Sequence, residues 1–537
     1  MENPDYIVVG SGISGAHAAQ TLVESGARVL MLDVGNRDSR YSKLIPDRDF
    51  LSIRETDENQ HRYFLGDDFE GIPWGGVRVG AQLTPPRTFI SRDTGKWLRI
   101  VSEEFQPLES LAYGGLGAGW GAGCFAFSKP ELEAVGLKRD GIREAYNEVS
   151  RRIGVSGAYD NGADYCTADL DELQEPIEID PQIKDILKTY SRKRKSLNSR
   201  GFFLGRSSIA LLTRNLEERT ATSYNDMEFW CDSGNSTYRA WMTVDKLLKN
   251  RNFRYVDRML VTRFNDLDHG IEVHAIDVDS AKRECFSGGK LILASGVLGT
   301  ARIVVRSFEY RKTRLPIICN PYCYIPCVRF GMMRSTMPER KTSLAQLYLF
   351  YDGNHDNFNV GAASIFTYRS LLMFKIAKEV PLNQSDALEL MRFLLPSIAI
   401  VGIFHPEHSG SGKYIELVKD GDSPTGDVLR ASYSLSNEEQ RALKRMDRAY
   451  LSALIKLGCI PLKVIYPHHG SSIHYGGALP FSEKNEPLTL SPDGRLHGTK
   501  RVYVADGSGF KYLPGKGVSL TLMANAHLVA RRALEIG

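Results

Sequence analysis

The sequence predicts an α/β fold in two parts. One is a doubly wound domain assembled from separated stretches of chain. The other is an inserted α+β domain on a largely antiparallel sheet. Three observations predict this. The chain opens on a strand–glycine loop–helix–strand pattern. Further glycine-bearing strand and turn segments recur far downstream. The intervening stretches alternate apolar and polar residues like antiparallel strands.

The opening element is "YIVV", Tyr6 to Val9, an apolar strand that runs directly into "GSGISG", Gly10 to Gly15. Gly10 permits a tight turn off the strand. Gly12 leaves room for a pyrophosphate to approach the backbone, and Gly15 lets the next helix lie close to the strand. That helix spans Ile13 to Glu24, with Ile13, Ala16, Ala19 and Leu22 at helical spacing. Ile13 and Ser14 open it, so their unpaired N–H groups and the positive dipole end face a phosphate. "ARVLMLD" is a second buried strand ending at Asp33, followed by Gly35 in the turn. An acid at this spacing binds a ribose hydroxyl. A lone glycine fingerprint is weak evidence, but here every flanking element appears in order.

Three later segments read as parts of the same domain. "SLAYGGLGAGWGAGCFAF", residues 110–127, carries six glycines. "WMTVDKLLKN" through "KLILASGVLGTARIVVRS" reads as a helix, three strands, a glycine turn and a helix. "RVYVADGSGFKYLPGKGVSLTLMANAHLVARRALEIG" reads as strand, loop and helix. The dinucleotide-binding domain therefore comprises 1–40, 106–180, 236–313 and 456–537, and the second domain 41–105, 181–235 and 314–455. In the latter, "AQLYLFYDG", "NVGAASIFTY", "YIELVKDG" and "DVLRASYSL" alternate as strands. "SNEEQRALKRMDRAYLSALIKLG" is a long helix capped by Ser436, with Glu439 three residues on.

The 537 residues are 42% hydrophobic and 25% charged with a net charge of +4, an ordinary globular balance. This gives no case for nucleic-acid binding or a membrane surface. The longest apolar-rich stretch, "FLLPSIAIVGIF" at 393–404, is too short to span a bilayer and contains a proline. A cytoplasmic protein without a membrane span is expected. Eight cysteines are too few for a disulfide scaffold. Cys319, Cys323 and Cys327 in "CNPYCYIPC" lack the CxxC spacing of zinc knuckles, and their prolines suggest an extended segment of structural thiols. No metal is expected.

These motifs together resemble the glucose–methanol–choline oxidoreductase family, which binds FAD. "GSGISG" with Asp33 is similar to the family's adenosine-binding end, and "LILASGVLGTARIVV" to its strand–turn–helix segment. "GGLGAGWGAG" resembles the glycine-rich stretch passing the flavin, and "VYVADGS" with "SLTLMANA" the C-terminal flavin segment. The resemblance implies FAD contacts along Gly114, Gly115, Gly119, Trp120, Gly121, Ala122 and Val261. It implies others at Ala294, Ser295, Gly296, Asp506, Gly507, Gly517 and Val518. The "GGxxxxW" form is closest to the pyranose-oxidase-like sugar-oxidising branch. Many of those members link FAD through a histidine where this chain has Gly119, so noncovalent FAD is expected. No second complete fingerprint is present to supply a nicotinamide site.

Alcohol oxidation needs a base that titrates near neutrality. His474, in "HHGSSIHYGG", resembles the family's catalytic histidine, with His469 the alternative register; His468 and His469 otherwise read as satisfied loop histidines or pocket-wall residues. His527 reads as a helix-surface residue. The family's second polar residue at the flavin falls at Gly517, which has no side chain to hold a substrate oxygen; Lys516 beside it either reaches in or lies exposed. The resulting expectation is an FAD-dependent oxidase or dehydrogenase. Its substrate would be a polyhydroxylated alcohol such as a sugar, glycoside or aminosugar-containing metabolite. Oxygen or an unidentified carrier would accept the electrons. The alternative is a redox-neutral flavin epimerase or eliminase, which Gly517 keeps open.

Overall fold

Five parallel strands carry the glycine loop at the carboxyl end of their central member. Their order is Val502–Val504, Lys290–Leu293, Tyr6–Val9, Val29–Leu32, Phe253–Val256. The computed structural model describes residues 3–46, 48, 50–71, 85–137, 141–224, 232–310, 312–335, 342–367 and 381–535. Tyr368, the end of one expected strand, lies outside them. The fold is mixed α/β, with several largely antiparallel sheets beside the parallel one.

The parallel strands are apolar on both faces, as a sheet covered on both sides requires. Tyr6, Val8, Val29, Met31 and Ile292 pack against the helices Ile13–Glu24, Ala240–Leu248 and Ser519–Glu535. Ile7, Val9, Leu30, Leu32 and Leu291 point the other way, onto Met259, Val261, Val273 and Ala275. Those belong to a three-stranded antiparallel sheet, Met259–Leu267, Gly270–Asp277 and Arg283–Gly288. Helix Gly296–Ser307 adds Ile303 and Val304 to the same layer. One cover of the parallel sheet is therefore itself largely a sheet, where a doubly wound arrangement expects helices. The cause is local: "FRYVDRMLVTRF" breaks at Arg258, whose φ is 62°. Phe253–Val256 joins the parallel sheet and Met259–Leu267 turns into the antiparallel one. "RECFSG", not anticipated as a strand, completes the latter.

The helix Ile13–Glu24 has its expected bounds. The helix Asn437–Lys456 begins with the anticipated capping box, Ser436 accepting from the Glu439 N–H while the Glu439 carboxylate accepts from the Ser436 N–H. Among the described residues no helix is long and apolar enough to cross a membrane.

The second large sheet has six antiparallel strands. Their order is Ile460–Pro461, Tyr322–Val328, Ile398–Phe404, Gly361–Thr367, Leu347–Tyr351, Phe202–Arg206. On one face Cys323, Ile325, Cys327, Val401 and Ile403 pack beneath the helices Pro181–Asn198 and Asn437–Lys456. The opposite face looks into a cavity. A four-stranded sheet, Leu315–Pro316, Lys413–Lys419, Asp427–Tyr433 and Ile100–Val101, packs against helix Gly296–Ser307.

Candidate functional site

A single cavity of about 1200 Å³ runs from the glycine loop to the open face of the six-stranded sheet. Its wall includes Ile13, Gly296 and Ser519, the first residues of three helices of 12, 12 and 17 residues. Each helix start presents unpaired N–H groups and a positive dipole end. Three such ends on one cavity favour an extended anionic ligand.

The glycines of the opening loop have the separate jobs their spacing implied. Gly10 has φ +98°, and a Cβ there would lie 2.6 Å from the Ala294 carbonyl oxygen. At Gly15 a Cβ would fall 1.9 Å from the Gly10 oxygen, so only glycine lets helix and strand approach. At Gly12 a Cβ would meet nothing within 4 Å, because that position faces the open cavity.

Asp33 also lines the cavity and is partly exposed to it. It accepts hydrogen bonds from the Ser11 hydroxyl and, at 3.2 Å, from the Tyr255 hydroxyl. Seclusion from bulk water pushes its carboxyl up to about 7, although both hydrogen bonds pull the other way. Ser11 was not singled out from the sequence. Its oxygen also accepts the Gly114 N–H at 2.8 Å, so it joins the first glycine loop, the second and the acid. The signal was only a hydroxyl between two glycines.

Of the other expected contacts, Ser14, Gly115, Gly119, Trp120, Gly121, Val261, Ala294, Ser295, Asp506, Gly507, Gly517 and Val518 line the cavity. Gly15, Gly35, Gly114 and Ala122 are not on its wall and shape it from behind. Gly35 has φ +68° against the Tyr255 hydroxyl, and Ala122 is buried with φ 59°. Asp506 accepts from Thr300 Oγ1 at 2.6 Å and from the Ser508 hydroxyl at 2.6 Å, which fixes the Asp-Gly turn.

His474 lines the cavity, half-buried, with Phe404 stacked on its ring at 4.9 Å. Its Nδ1 lies 3.1 Å from Asn320 Oδ1. The Asn320 amide nitrogen is committed to the carbonyls of His405, Leu513 and Pro514 at 2.8, 3.4 and 3.0 Å. Asn320 can therefore only accept from the imidazole, so Nδ1 carries the proton and Nε2 keeps a lone pair. Burial lowers the His474 pKa from 6.5 to about 4, so the ring is a neutral base at pH 7.

Two candidates are corrected. His469 is not on the cavity wall; its ring packs on Tyr433 at 4.8 Å and burial lowers its pKa. His468 sits on the wall instead. Lys516 neither enters the cavity nor lies in solvent. It is fully buried, and its Nζ donates to Glu131 Oε2 at 2.7 Å, with both side chains 0% exposed. The glycine after it follows from packing: a Cβ on Gly517 would lie 2.7 Å from the Phe125 ring. His527, expected on a helix surface, is buried between helices with its Nδ1 2.8 Å from Thr21 Oγ1.

Asn320 lies inside the cysteine-bearing segment, where the thiols drew attention and the amide did not. Cys323, His405 and Asp447 gather three buried ligand-type atoms within 4.8 Å of one another. They sit on the helix-covered side of the sheet. His405 Nδ1 has no hydrogen-bond partner, whereas metal-bound imidazoles are oriented through their second nitrogen. Comparison of the chain with protein-family models and with characterised proteins gives no match.

Proposed function

We propose that the protein is an FAD-dependent oxidoreductase in which a Rossmann-like domain holds noncovalent FAD and His474 takes the proton from a substrate hydroxyl. The observation that carries this reading is His474 itself. It is a neutral imidazole, oriented through Nδ1 by Asn320, in the same cavity that three helix starts and a glycine loop make suitable for a dinucleotide.

Two features support the fit of FAD. The space a Gly12 Cβ would occupy is open, as a pyrophosphate cradle needs. Ser295 Oγ is a buried polar atom without a hydrogen-bond partner, on the cavity wall beside the start of helix Gly296–Ser307. Gly12 and the Ile13 helix start would receive the pyrophosphate, and Asp33 the ribose hydroxyls. Ser295, Gly296 and the Ser519 helix start would border the rest of the group. Gly119 has no side-chain atom to form a covalent link.

Bound FAD supplies a two-electron acceptor for the hydride that leaves the carbinol carbon. His474 Nε2 takes the hydroxyl proton as the C–O bond becomes C=O, so one hydride and one proton leave together and the substrate becomes a carbonyl compound. Asn320 keeps the lone pair on Nε2 throughout. Gly517 contributes no side chain to assist His474.

The test is stopped-flow flavin reduction under anaerobic conditions. His474→Ala is expected to retain FAD and to lose about 10² to 10⁴ in reduction rate, roughly 2.7 to 5.5 kcal/mol of barrier. A wild-type rate in that variant, or purified protein that takes up no FAD, would refute the reading. Flavin that bleaches only transiently without oxygen would mark the redox-neutral alternative instead.

A further inference from the structure

The six-stranded sheet raises a question that the nucleotide cradle does not answer. Its central strands read "YCYIPCV", "IAIVGIF" and "GAASIFT", apolar on both faces. Such a sheet is covered on both sides. One side packs under two helices, and the other forms the wall of the cavity. Large apolar surfaces of this kind are left uncovered where something binds.

The register orders that wall. Phe404, stacked on His474, opens it. Farther along the same strand come Ile400, opposite both Pro326 and Phe366, and Ile398, opposite Val328. From Phe404 to Ile398 is six residues of strand, about 20 Å. Helix Gln384–Leu394 adds Met391 and Leu394 to the wall. Among the described residues on this part of the wall there is no carboxylate and no arginine. Its polar groups are Lys463, His468 and the hydroxyls of tyrosines, serines and a threonine, among them Tyr322, Tyr324, Ser364 and Tyr466. The strip formed by Phe404, Ile400 and Ile398 with Phe366, Met391 and Leu394 offers no polar side chain, so a hydroxyl laid against it would lose water without gaining a partner.

Building on the proposed oxidation at His474, we infer that the substrate is an apolar alcohol. Its hydroxyl sits at His474 Nε2, and its hydrocarbon body, a polycyclic skeleton or an extended chain, lies along the Phe404–Ile398 face. This replaces the sugar class that the glycine-rich motif implied. The hydride and proton leave as described above and the product is the corresponding apolar ketone or aldehyde.

The experiment pairs a binding measurement with a chemical one on the FAD-loaded protein. Calorimetric titration uses a steroid alcohol, dodecanol, glucose and methyl glucoside. The same four compounds are then tested for anaerobic flavin bleaching. The expected result is binding of at least one apolar alcohol with a negative heat-capacity change, bleaching by that compound, and neither response to the two sugars. Ile400→Asp should weaken apolar binding at least tenfold. Ile400→Trp, which keeps the wall apolar and shortens the chamber, should exclude the steroid. In both variants the FAD content should be unchanged. Sugar binding with sugar bleaching, or apolar affinity untouched by both variants, would overturn the substrate class while leaving the oxidation reading intact. Protein that holds no FAD but binds the apolar alcohols, with that binding lost in Ile400→Asp, would refute the oxidation reading while supporting the chamber.

Discussion

His474 Nδ1 and Asn320 Oδ1 lie 3.1 Å apart at the end of the two-stranded ladder that pairs Ile318–Cys319 with Tyr475–Gly476, and the direction of their hydrogen bond is fixed. Asn320 spends its donors on three main-chain carbonyls, two of them in the segment that leads to Gly517. The imidazole is thus oriented by an amide that is itself held by the main chain.

Removing that anchor should cost rate without cofactor. Asn320→Ala is expected to slow anaerobic flavin reduction about tenfold to a hundredfold, part of the 10² to 10⁴ that a positioned base provides. Asn320→Asp keeps an acceptor for Nδ1. Its carboxylate favours the imidazolium, so the acid limb of the rate profile should move to higher pH. An unchanged profile in both variants would show that Asn320 does not set the tautomer.

The pH dependence of the unmodified protein follows from the lowered His474 pKa. The working form is neutral imidazole, so flavin reduction should stay level from pH 7 down to about pH 5 and fall as pH drops through about 4. A midpoint near 6.5 would contradict the buried, neutral ring.

Stability has its own pH dependence. Burial lowers His474 and His527 to about 4 and holds His17 well below its ordinary 6.5. Between about 4 and 6.5 these imidazoles bind more protons in the unfolded chain than in the folded one, so their contribution to stability falls as pH falls across that window. Asp33, raised to about 7, contributes with the opposite sign. His527→Gln, which cannot take up a proton, isolates the histidine part: its urea midpoint at pH 4 relative to pH 7 should be higher than that of the unmodified protein.

Two glycines three residues apart should behave oppositely. Gly12 has φ −61° and ψ 179°, a conformation open to valine, and faces empty space. Gly12→Val should fold normally and purify colourless. Gly15→Ala drives a methyl group to 1.9 Å from the Gly10 oxygen and should lower the melting temperature whether or not FAD is added. A yellow Gly12→Val protein would refute the cradle.

Lys516→Met leaves the Glu131 carboxylate buried and unpaired, and its other oxygen already lacks a partner. Breaking such a pair costs about 3 to 5 kcal/mol, to be read from the denaturation midpoint. Adding Glu131→Gln should recover part of the loss. Flavin reduction per bound FAD should hold near the wild-type rate, since the pair does not line the cavity.

Local signals were legible and long-range pairings were not. The opening loop could be read because its strand, glycines, helix and acid are consecutive and each answers a steric demand. The Ser436 capping box was readable for the same reason. Lys516 could not be placed, because its partner Glu131 lies 385 residues away and nothing in "PGKG" marks a buried cation. Asn320 was hidden because an amide gains meaning only from the groups around it. The substrate chamber escaped notice because both faces of its strands are apolar, and periodicity does not tell a packed face from an open one.

The order in which strands enter the parallel sheet bears on how the chain is made. Tyr6–Val9 needs Lys290–Leu293 beside it, which in turn needs Val502–Val504. The Tyr6 hydroxyl is tied to the Ala533 carbonyl at 3.0 Å. At 5 to 20 residues per second, the first strand waits roughly half a minute to two minutes on the ribosome before its final neighbours emerge. Until Ser519–Glu535 emerges, the face of Ile13–Glu24 that packs against it is uncovered. The nascent chain then carries exposed apolar surface of the kind chaperones cover, and a stop codon shortly before Val502 would leave the parallel sheet without its edge strand.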